Sequence, residues 1–165
     1  MFLKEKTALV TGSTSGIGLG YAKALAAEGA NVMINGFGDA AVIEKERAGL
    51  EALSGGKALY SDADMTKPAS IIAMVKMCAD QLGGPDIIIN NAGIQFVAPV
   101  DEFPDEKWDA IIAINLTSAF HVIKAALPGM KARKWGRLST RRPPTRWSRV
   151  PTSQLMSQPS TALSG

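Results

Sequence analysis

The sequence predicts an α/β fold in which a doubly wound parallel sheet is covered by helices on both faces. Short, nearly continuous apolar runs alternate with longer helical patterns along most of the chain. Each run is bounded by glycine, proline or polar turn residues, and the first leads into a glycine-rich turn, Thr11 to Gly18, that opens a helix. Strands that are buried on both faces and joined by helices have this pattern, so the sheet is predicted to be parallel.

The predicted elements follow one another in regular order. Apolar runs predict four strands, at 7–10, 31–34, 57–60 and 86–89. Helical spacing and glycine stop signals predict four helices, at 16–28, 40–53, 67–82 and 105–131. Right-handed crossovers then give the strand order 3-2-1-4, with a possible incomplete fifth strand.

The alternation of strands and helices ends near Arg137. Residues 138–165 are rich in Ser, Thr, Pro and Arg, and four prolines there exclude a long helix or a central strand. The sequence therefore predicts one domain at 1–137 and an irregular or disordered tail at 138–165.

The charge balance argues against a nucleic-acid partner. The net charge of +3 includes four tail arginines and no tail acid, which leaves residues 1–137 with a net charge of −1. A nearly neutral domain has no basic face to attract a phosphate backbone.

Composition also limits location and metal chemistry. The apolar runs are shorter than the ~20 residues that span a bilayer, and no signal peptide is visible, so we expect no membrane partner and a cytoplasmic location. The one cysteine, Cys78, fits a reducing compartment and a packing role. One Cys and one His, His121, make no metal site, and we expect His121 to be a packing or surface residue.

The glycine turn predicts a phosphate site. A strand, a tight turn and a helix aim backbone N–H groups and the positive end of a helix dipole at an anion. Gly12 permits the turn, Gly16 allows close approach of a pyrophosphate, and Gly18 allows close helix packing. A glycine-rich loop without special function is the alternative.

Two further motifs lie where strands end. Asn90-Asn91-Ala92-Gly93 follows the fourth strand and Asp64 follows the third. Ligands of doubly wound sheets bind outside the carboxyl ends of the strands. Asp64 could therefore accept a hydrogen bond from an adenine amino group, although a turn aspartate is the alternative.

Together with Asn115 on the last predicted helix, these motifs resemble the short-chain dehydrogenase/reductase family in order and spacing over residues 5–137. The resemblance implies a Rossmann fold and hydride transfer between NAD and a small secondary alcohol or ketone. Segments 8–20, 35–39, 91–95, 97–100 and 108–116 resemble most closely the members that interconvert D-3-hydroxybutyrate and acetoacetate. Phe96 stands where those members are expected to carry a polar residue, so a related reductase of another small ketone stays open.

The resemblance also assigns site residues. It implies that the cofactor is held by Gly12, Thr14, Ser15, Gly16, Ile17, Gly18, Phe37, Asp64, Met65, Asn91, Ala92 and Gly93. It implies that Gln95 contacts the substrate carboxylate and that Asn115 orders a proton-relay water. Asn115 is also expected to be a buried polar residue in an apolar helix, which costs stability unless the side chain is paired.

The choice of NAD rests on the resemblance. Many NAD-preferring members carry an acid at the end of the second strand. Here that place is Asn35-Gly36-Phe37, which holds neither an acid nor an arginine for NADP.

The family's catalytic residues are missing from the chain as written. The reaction needs a serine and a tyrosine four residues before a lysine. The tyrosines, Tyr21 and Tyr60, are not followed by lysine at that spacing, and no lysine occurs after Lys134. We therefore expect weak or absent catalysis, and a non-catalytic nucleotide-binding fragment or truncated product is the alternative to an oxidoreductase.

A frameshift near Arg137 is our hypothesis for the loss. If the tail codons are read from their third bases, Arg142-Pro143 can encode Ser, Leu155-Met156 Tyr, and Pro159-Ser160 Lys. These residues then fall at the family's spacing. A natural disordered extension is the alternative.

The resemblance further implies a homotetramer built through the 105–131 helix and the Tyr/Lys helix. Loss of the second helix makes this chain's oligomeric state doubtful and would expose apolar surface on the first, an aggregation liability.

Overall fold

The computed structural model describes residues 1–141 of the 165-residue chain. It confirms the doubly wound α/β architecture, with one parallel sheet of five strands. The strands are β1 (Thr7–Val10), β2 (Asn31–Asn35), β3 (Ala58–Ser61), β4 (Ile87–Asn90) and β5 (Arg137–Thr140). The helices are α1 (Gly16–Ala27), α2 (Ala40–Ser54), α3 (Pro68–Leu82), α4 (Asp105–Ile112) and α5 (Ser118–Ala132). The strand order is β3-β2-β1-β4-β5, as predicted, with the fifth strand present.

Alternating strand residues divide the core into two layers. Leu9, Met33 and Ile88 point to one face and pack with buried side chains of α3 and α5. Their neighbours, such as Val10 and Ile34, point to the other face and pack with α1 and α2. The central strand β1 is thus covered on both sides, which explains its continuous apolar run.

Cys78 belongs to the layer beneath α3. The residue is fully buried, and burial raises the pKa of its thiol to about 12. The side chain is therefore a packing residue, because a neutral buried thiol is a poor nucleophile.

The predicted start of the irregular tail is wrong by three residues. Residues 138–140 belong to β5, which pairs with β4 from Arg137 opposite Ile87 to Thr140 opposite Asn90. All four β5 residues are exposed, so this edge strand carries no apolar pattern that could reveal it. The codon positions of the frameshift hypothesis, from Arg142 onward, lie outside the described residues.

The predicted 105–131 helix is interrupted. Ala113–Thr117 forms a π-helical segment between α4 and α5, so the wide turn falls on Asn115. By length and composition, Asp105–Ala132 could cross a membrane. Such helices also occur in domain cores, and here Val122, Ala126 and Met130 are buried beneath the sheet.

A buried carboxylate fixes the other end of the sheet. Asp86 accepts hydrogen bonds from the backbone N–H of Thr7 at 3.0 Å and from Arg133 Nε at 3.0 Å. We expect Asp86→Ala to lower the free energy of unfolding by about 2–4 kcal/mol, because it leaves both donors without their acceptor. Denaturant unfolding measures the change.

Asp80→Ala is the matched control, since Asp80 pairs with Lys76 on the solvent side of α3. An exposed pair contributes about 0–1 kcal/mol. Equal losses of stability in the two variants would contradict the role assigned to Asp86.

Candidate functional site

The glycine turn is packed too tightly for side chains at two positions. Gly12 has φ +60°, and a Cβ there would lie 2.7 Å from the Ala92 Cα. A Cβ on Gly18 would collide with the Gly12 carbonyl oxygen and lie 2.5 Å from Asn91 Nδ2. Gly16 has φ +55° and open space around it. Gly12 and Gly18 therefore allow two backbone segments to pack directly against each other, while Gly16 leaves open space in front of the helix.

The start of α1 is suited to an anion. Ser15 is the N-cap residue, but its side chain makes no capping hydrogen bond, and the first turn carries no acid. The N-terminal N–H groups and the helix dipole are thus not satisfied by a side chain at the cap. Ser15 and Ile17 are exposed and line a cavity of about 220 Å³ with Gly12 and Gly18.

Asn91 fastens the β4 loop to the glycine turn. Its Nδ2 donates to the carbonyls of Thr11 at 3.1 Å and Gly12 at 2.8 Å. The backbone N–H groups of Asn91 and Ala92 both donate to Thr11 Oγ1, at 3.1 and 3.0 Å. The Asn91 carboxamide thus positions the turn, a role beyond the cofactor contact that the resemblance implies.

The side-chain oxygen of Asn91 accepts no hydrogen bond in the described part of the chain. This Oδ1 is buried and has no partner among the described residues. The residue is 9% exposed and lines the crevice. A buried acceptor without a partner costs about 1–3 kcal/mol. A ligand hydroxyl or amide that reached this oxygen would recover the loss.

Asn35 is a site residue that the sequence reasoning missed. It is fully buried, and its Nδ2 donates to the carbonyls of Ser61 at 3.1 Å and Ala63 at 3.0 Å. Its Oδ1 accepts from the Gly12 N–H at 3.4 Å. One side chain at the end of β2 therefore ties the glycine turn to the end of β3 and the segment that follows it. The signal for it in the sequence is a polar residue that ends an otherwise apolar strand.

The segments after β2 and β3 lie beside the glycine turn, on the side away from β4. Thr14 Oγ1 donates to the Phe37 carbonyl at 3.0 Å, which holds the exposed Phe37 ring beside the turn. Asp64 accepts from the Thr66 N–H at 2.9 Å and lies 3.3 Å from Lys67 Nζ. The Thr66 backbone hydrogen bond is the main cause that lowers the pKa of Asp64.

These contacts bear on two residues that are predicted to hold the adenine, Asp64 and Met65. Asp64 is a turn aspartate before α3, and an adenine contact would have to use an oxygen that this turn leaves accessible. The side chain of Met65 is 7% exposed and packs in the core, so only its backbone could reach a cofactor.

The segments after β4 form the other side. Ile94 N–H donates to Asn115 Oδ1, and Asn115 Nδ2 donates to the Ile94 carbonyl, both at 2.9 Å. The π-helical turn presents this amide, and π turns often occur at functional sites. Asn115 is half-buried, not buried as expected, and the paired amide removes the cost of a polar residue there.

Two adjoining cavities form one crevice between the glycine turn and the segments after β4. A second cavity, of about 290 Å³, shares Asn91, Ala92 and Gly93 with the first and adds Gln95 and Asn115. Arg141 lines both cavities, although the sequence reasoning placed it in the tail. His121 lies elsewhere, in a groove between α3 and α5.

The backbone donors beside this crevice are of the kind that a dinucleotide requires. The glycine turn and the α1 N-terminus would hold a pyrophosphate, and the orphan oxygen of Asn91 would accept from a ribose hydroxyl. No acidic side chain lines either cavity among residues 1–141. Over the same residues, no group of three or more His, Cys, Asp or Glu is placed to hold a metal.

Comparison with known proteins gives the relatives of this arrangement. The chain is 60% identical to D-beta-hydroxybutyrate dehydrogenase of Cupriavidus necator over 136 residues, or 82% of this chain and 52% of the relative. It is 53% identical to the enzyme of the same name from Rhizobium meliloti, over 81% of this chain and 52% of the relative. The chain thus spans about half the length of the curated relatives it matches.

Solved structures agree with the fold. A short chain dehydrogenase from Burkholderia cenocepacia, in complex with NADP, matches with TM-score 0.76 and 36% identity over 85% of this chain and 56% of its own. A metagenomic short-chain oxidoreductase with NADP matches with TM-score 0.78 and 30% identity over 85% of this chain and 63% of its own.

A family profile covers most of the described residues. The profile of the short chain dehydrogenases matches residues 6–139, which include the glycine turn, the Asn91–Gly93 loop, Asn115 and most of β5. The chain therefore belongs to the short-chain dehydrogenase family of oxidoreductases.

Proposed function

We propose that this chain is the NAD-binding half of a dehydrogenase that interconverts D-3-hydroxybutyrate and acetoacetate, and that as written it has weak or absent catalytic activity. The continuous crevice between the glycine turn and Asn115 is the observation that carries the proposal. The two hydroxybutyrate dehydrogenase relatives support the substrate class.

The loop after β2 favours NAD over NADP. Asp39 caps α2 by accepting from the Val42 N–H at 3.0 Å, so a carboxylate already occupies that helix N-terminus. Residues 35–39 hold no lysine or arginine. A 2′-phosphate there would meet a negative charge without a cation to bind it. This supports NAD, although the two solved relatives are complexes with NADP.

The described residues would bind and orient the cofactor and the substrate, but they do not supply the general acid or base of the reaction. Gly12 to Gly18 would hold the pyrophosphate, Phe37 and Asp64 would flank the adenosine, and Asn91 would face a ribose. The bound cofactor would supply the hydride acceptor. Asn115 and Gln95 would face the substrate from the other side of the crevice. No tyrosine stands four residues before a lysine anywhere in the chain.

The helical region from α4 to α5 carries an exposed apolar stripe. In the described part of the chain, a large apolar side chain is exposed at every fourth residue: Trp108, Ile112, Leu116 and Phe120. We propose that this stripe pairs subunits in a complete relative and promotes aggregation of this chain in the cytoplasm.

Nucleotide binding tests the proposal. We expect NAD to bind the purified chain with a 1:1 stoichiometry. NADP is expected to bind at least ~10-fold more weakly, because its 2′-phosphate would lie near the Asp39 carboxylate without a lysine or arginine to bind it. Isothermal titration calorimetry measures both. Asp39→Ser keeps a capping oxygen but removes the negative charge, and we expect this variant to have a smaller difference between its affinities for NAD and NADP. Equal affinities for NAD and NADP in the unsubstituted chain would contradict the cofactor assignment.

A further inference from the structure

Arg141 lies where the two cavities of the crevice meet. It lines both the cavity beside the glycine turn and the cavity beside Asn115. Its backbone N–H donates to the Asn90 carbonyl at 3.0 Å, which extends the pairing of β4 with β5 by one residue. The start of this side chain is therefore fixed by the sheet.

The crevice contains little charge besides Arg141. Among the residues that the structure describes, Arg141 is the one charged residue that lines either cavity. The N-terminus of α1 adds a partial positive charge from the same direction. Arg141 is half-buried, so its charge is screened less than that of an exposed arginine.

The topology places Arg141 on the nicotinamide side of a bound dinucleotide. In a doubly wound sheet the pyrophosphate lies on the helix after β1, and the two nucleosides extend to opposite sides. Phe37 and Asp64 mark the side of β2 and β3, which the proposed function gives to adenosine. Asn115 and Arg141 mark the side of β4 and β5, so the nicotinamide half extends toward Arg141.

We propose that Arg141 makes the crevice discriminate between the redox states of the cofactor, with NADH preferred over NAD⁺. The nicotinamide ring of NAD⁺ carries a positive charge that the ring of NADH lacks, and a guanidinium beside the ring opposes only the oxidised form. The inference rests on the proposed function. We expect a contribution of about tenfold to the ratio of the two dissociation constants.

Calorimetric titration of the full chain with NADH, NAD⁺ and ADP-ribose tests the inference. Arg141→Gln is expected to reduce the NAD⁺-to-NADH ratio of dissociation constants by about tenfold, through tighter NAD⁺ binding. ADP-ribose lacks the ring, so its affinity should change little. Arg141→Lys keeps the charge and should keep the ratio.

Arg137→Gln is the matched control, since Arg137 lies at the opposite end of β5 and stacks on Trp135. A ratio that Arg141→Gln leaves unchanged would overturn the inference. So would equal weakening of all three ligands, because Arg141 would then contact the pyrophosphate. If none of the three binds the unsubstituted chain, the proposed function itself fails; binding with an unchanged ratio refutes only the role of Arg141.

Discussion

Replacing Gly18 with alanine is expected to weaken NAD binding by roughly 10–100-fold and to lower the free energy of unfolding by about 1–3 kcal/mol. The new Cβ would collide with the Gly12 carbonyl and press on Asn91 Nδ2, 2.5 Å away. Both groups are held in place, since Asn91 Nδ2 donates to the carbonyls of Thr11 and Gly12. The first turn of α1 must therefore move away from the pyrophosphate position.

Gly20→Ala is the control for this change. Gly20 lies in the same helix, is exposed, and has no atom within 4 Å of an added Cβ. An alanine there is expected to stabilise the fold by about 0.5–1 kcal/mol and to leave NAD affinity unchanged. Calorimetry and denaturant unfolding measure the two effects. If Gly18→Ala bound NAD as tightly as Gly20→Ala, the close packing would not matter for the site.

Restoring the alternative frame after Arg137 is the second large effect. We expect the restored chain to oxidise D-3-hydroxybutyrate with a kcat at least ~10²–10⁴-fold above that of the chain as written, because it regains a general acid and base. The extended chain would include the Ser, Tyr and Lys that the shifted codons permit. Steady-state assays of NADH formation give both rates.

The control is the restored chain with its tyrosine changed to phenylalanine, which keeps the fold and removes the acid. Its kcat is expected to fall back toward that of the chain as written. A restored chain with no more activity than this variant would refute the frameshift hypothesis, and a gene sequence without such a frame would refute it as well.

Most of the fold could be predicted because each buried strand carries its own apolar run. Thr7–Val10 and Ile87–Asn90 are buried along their whole length, so their pattern does not depend on knowing their neighbours. Strand β5 could not be found in this way. Its four residues are exposed at the edge of the sheet, and only the hydrogen bonds to β4 make it a strand.

The site was predicted where backbone geometry dictates residue type. Gly12 and Gly18 can be recognised in the sequence because no other residue fits positions where two backbone segments are in contact. Asn35 and Arg141 cannot be recognised in this way, because their roles depend on which segments the topology brings together. The sequence shows Asn35 as an uncharged strand end, whereas the fold makes it the link between the glycine turn and the end of β3.

The most direct test of a cofactor-binding half without its catalytic half is a single-turnover experiment. The purified chain is held in excess over NAD, NAD binding is verified by calorimetry, and D-3-hydroxybutyrate is added while the near-ultraviolet absorbance of NADH is followed. We predict saturable binding of NAD and no formation of NADH on the timescale of a normal turnover. A stoichiometric burst of NADH would contradict the account.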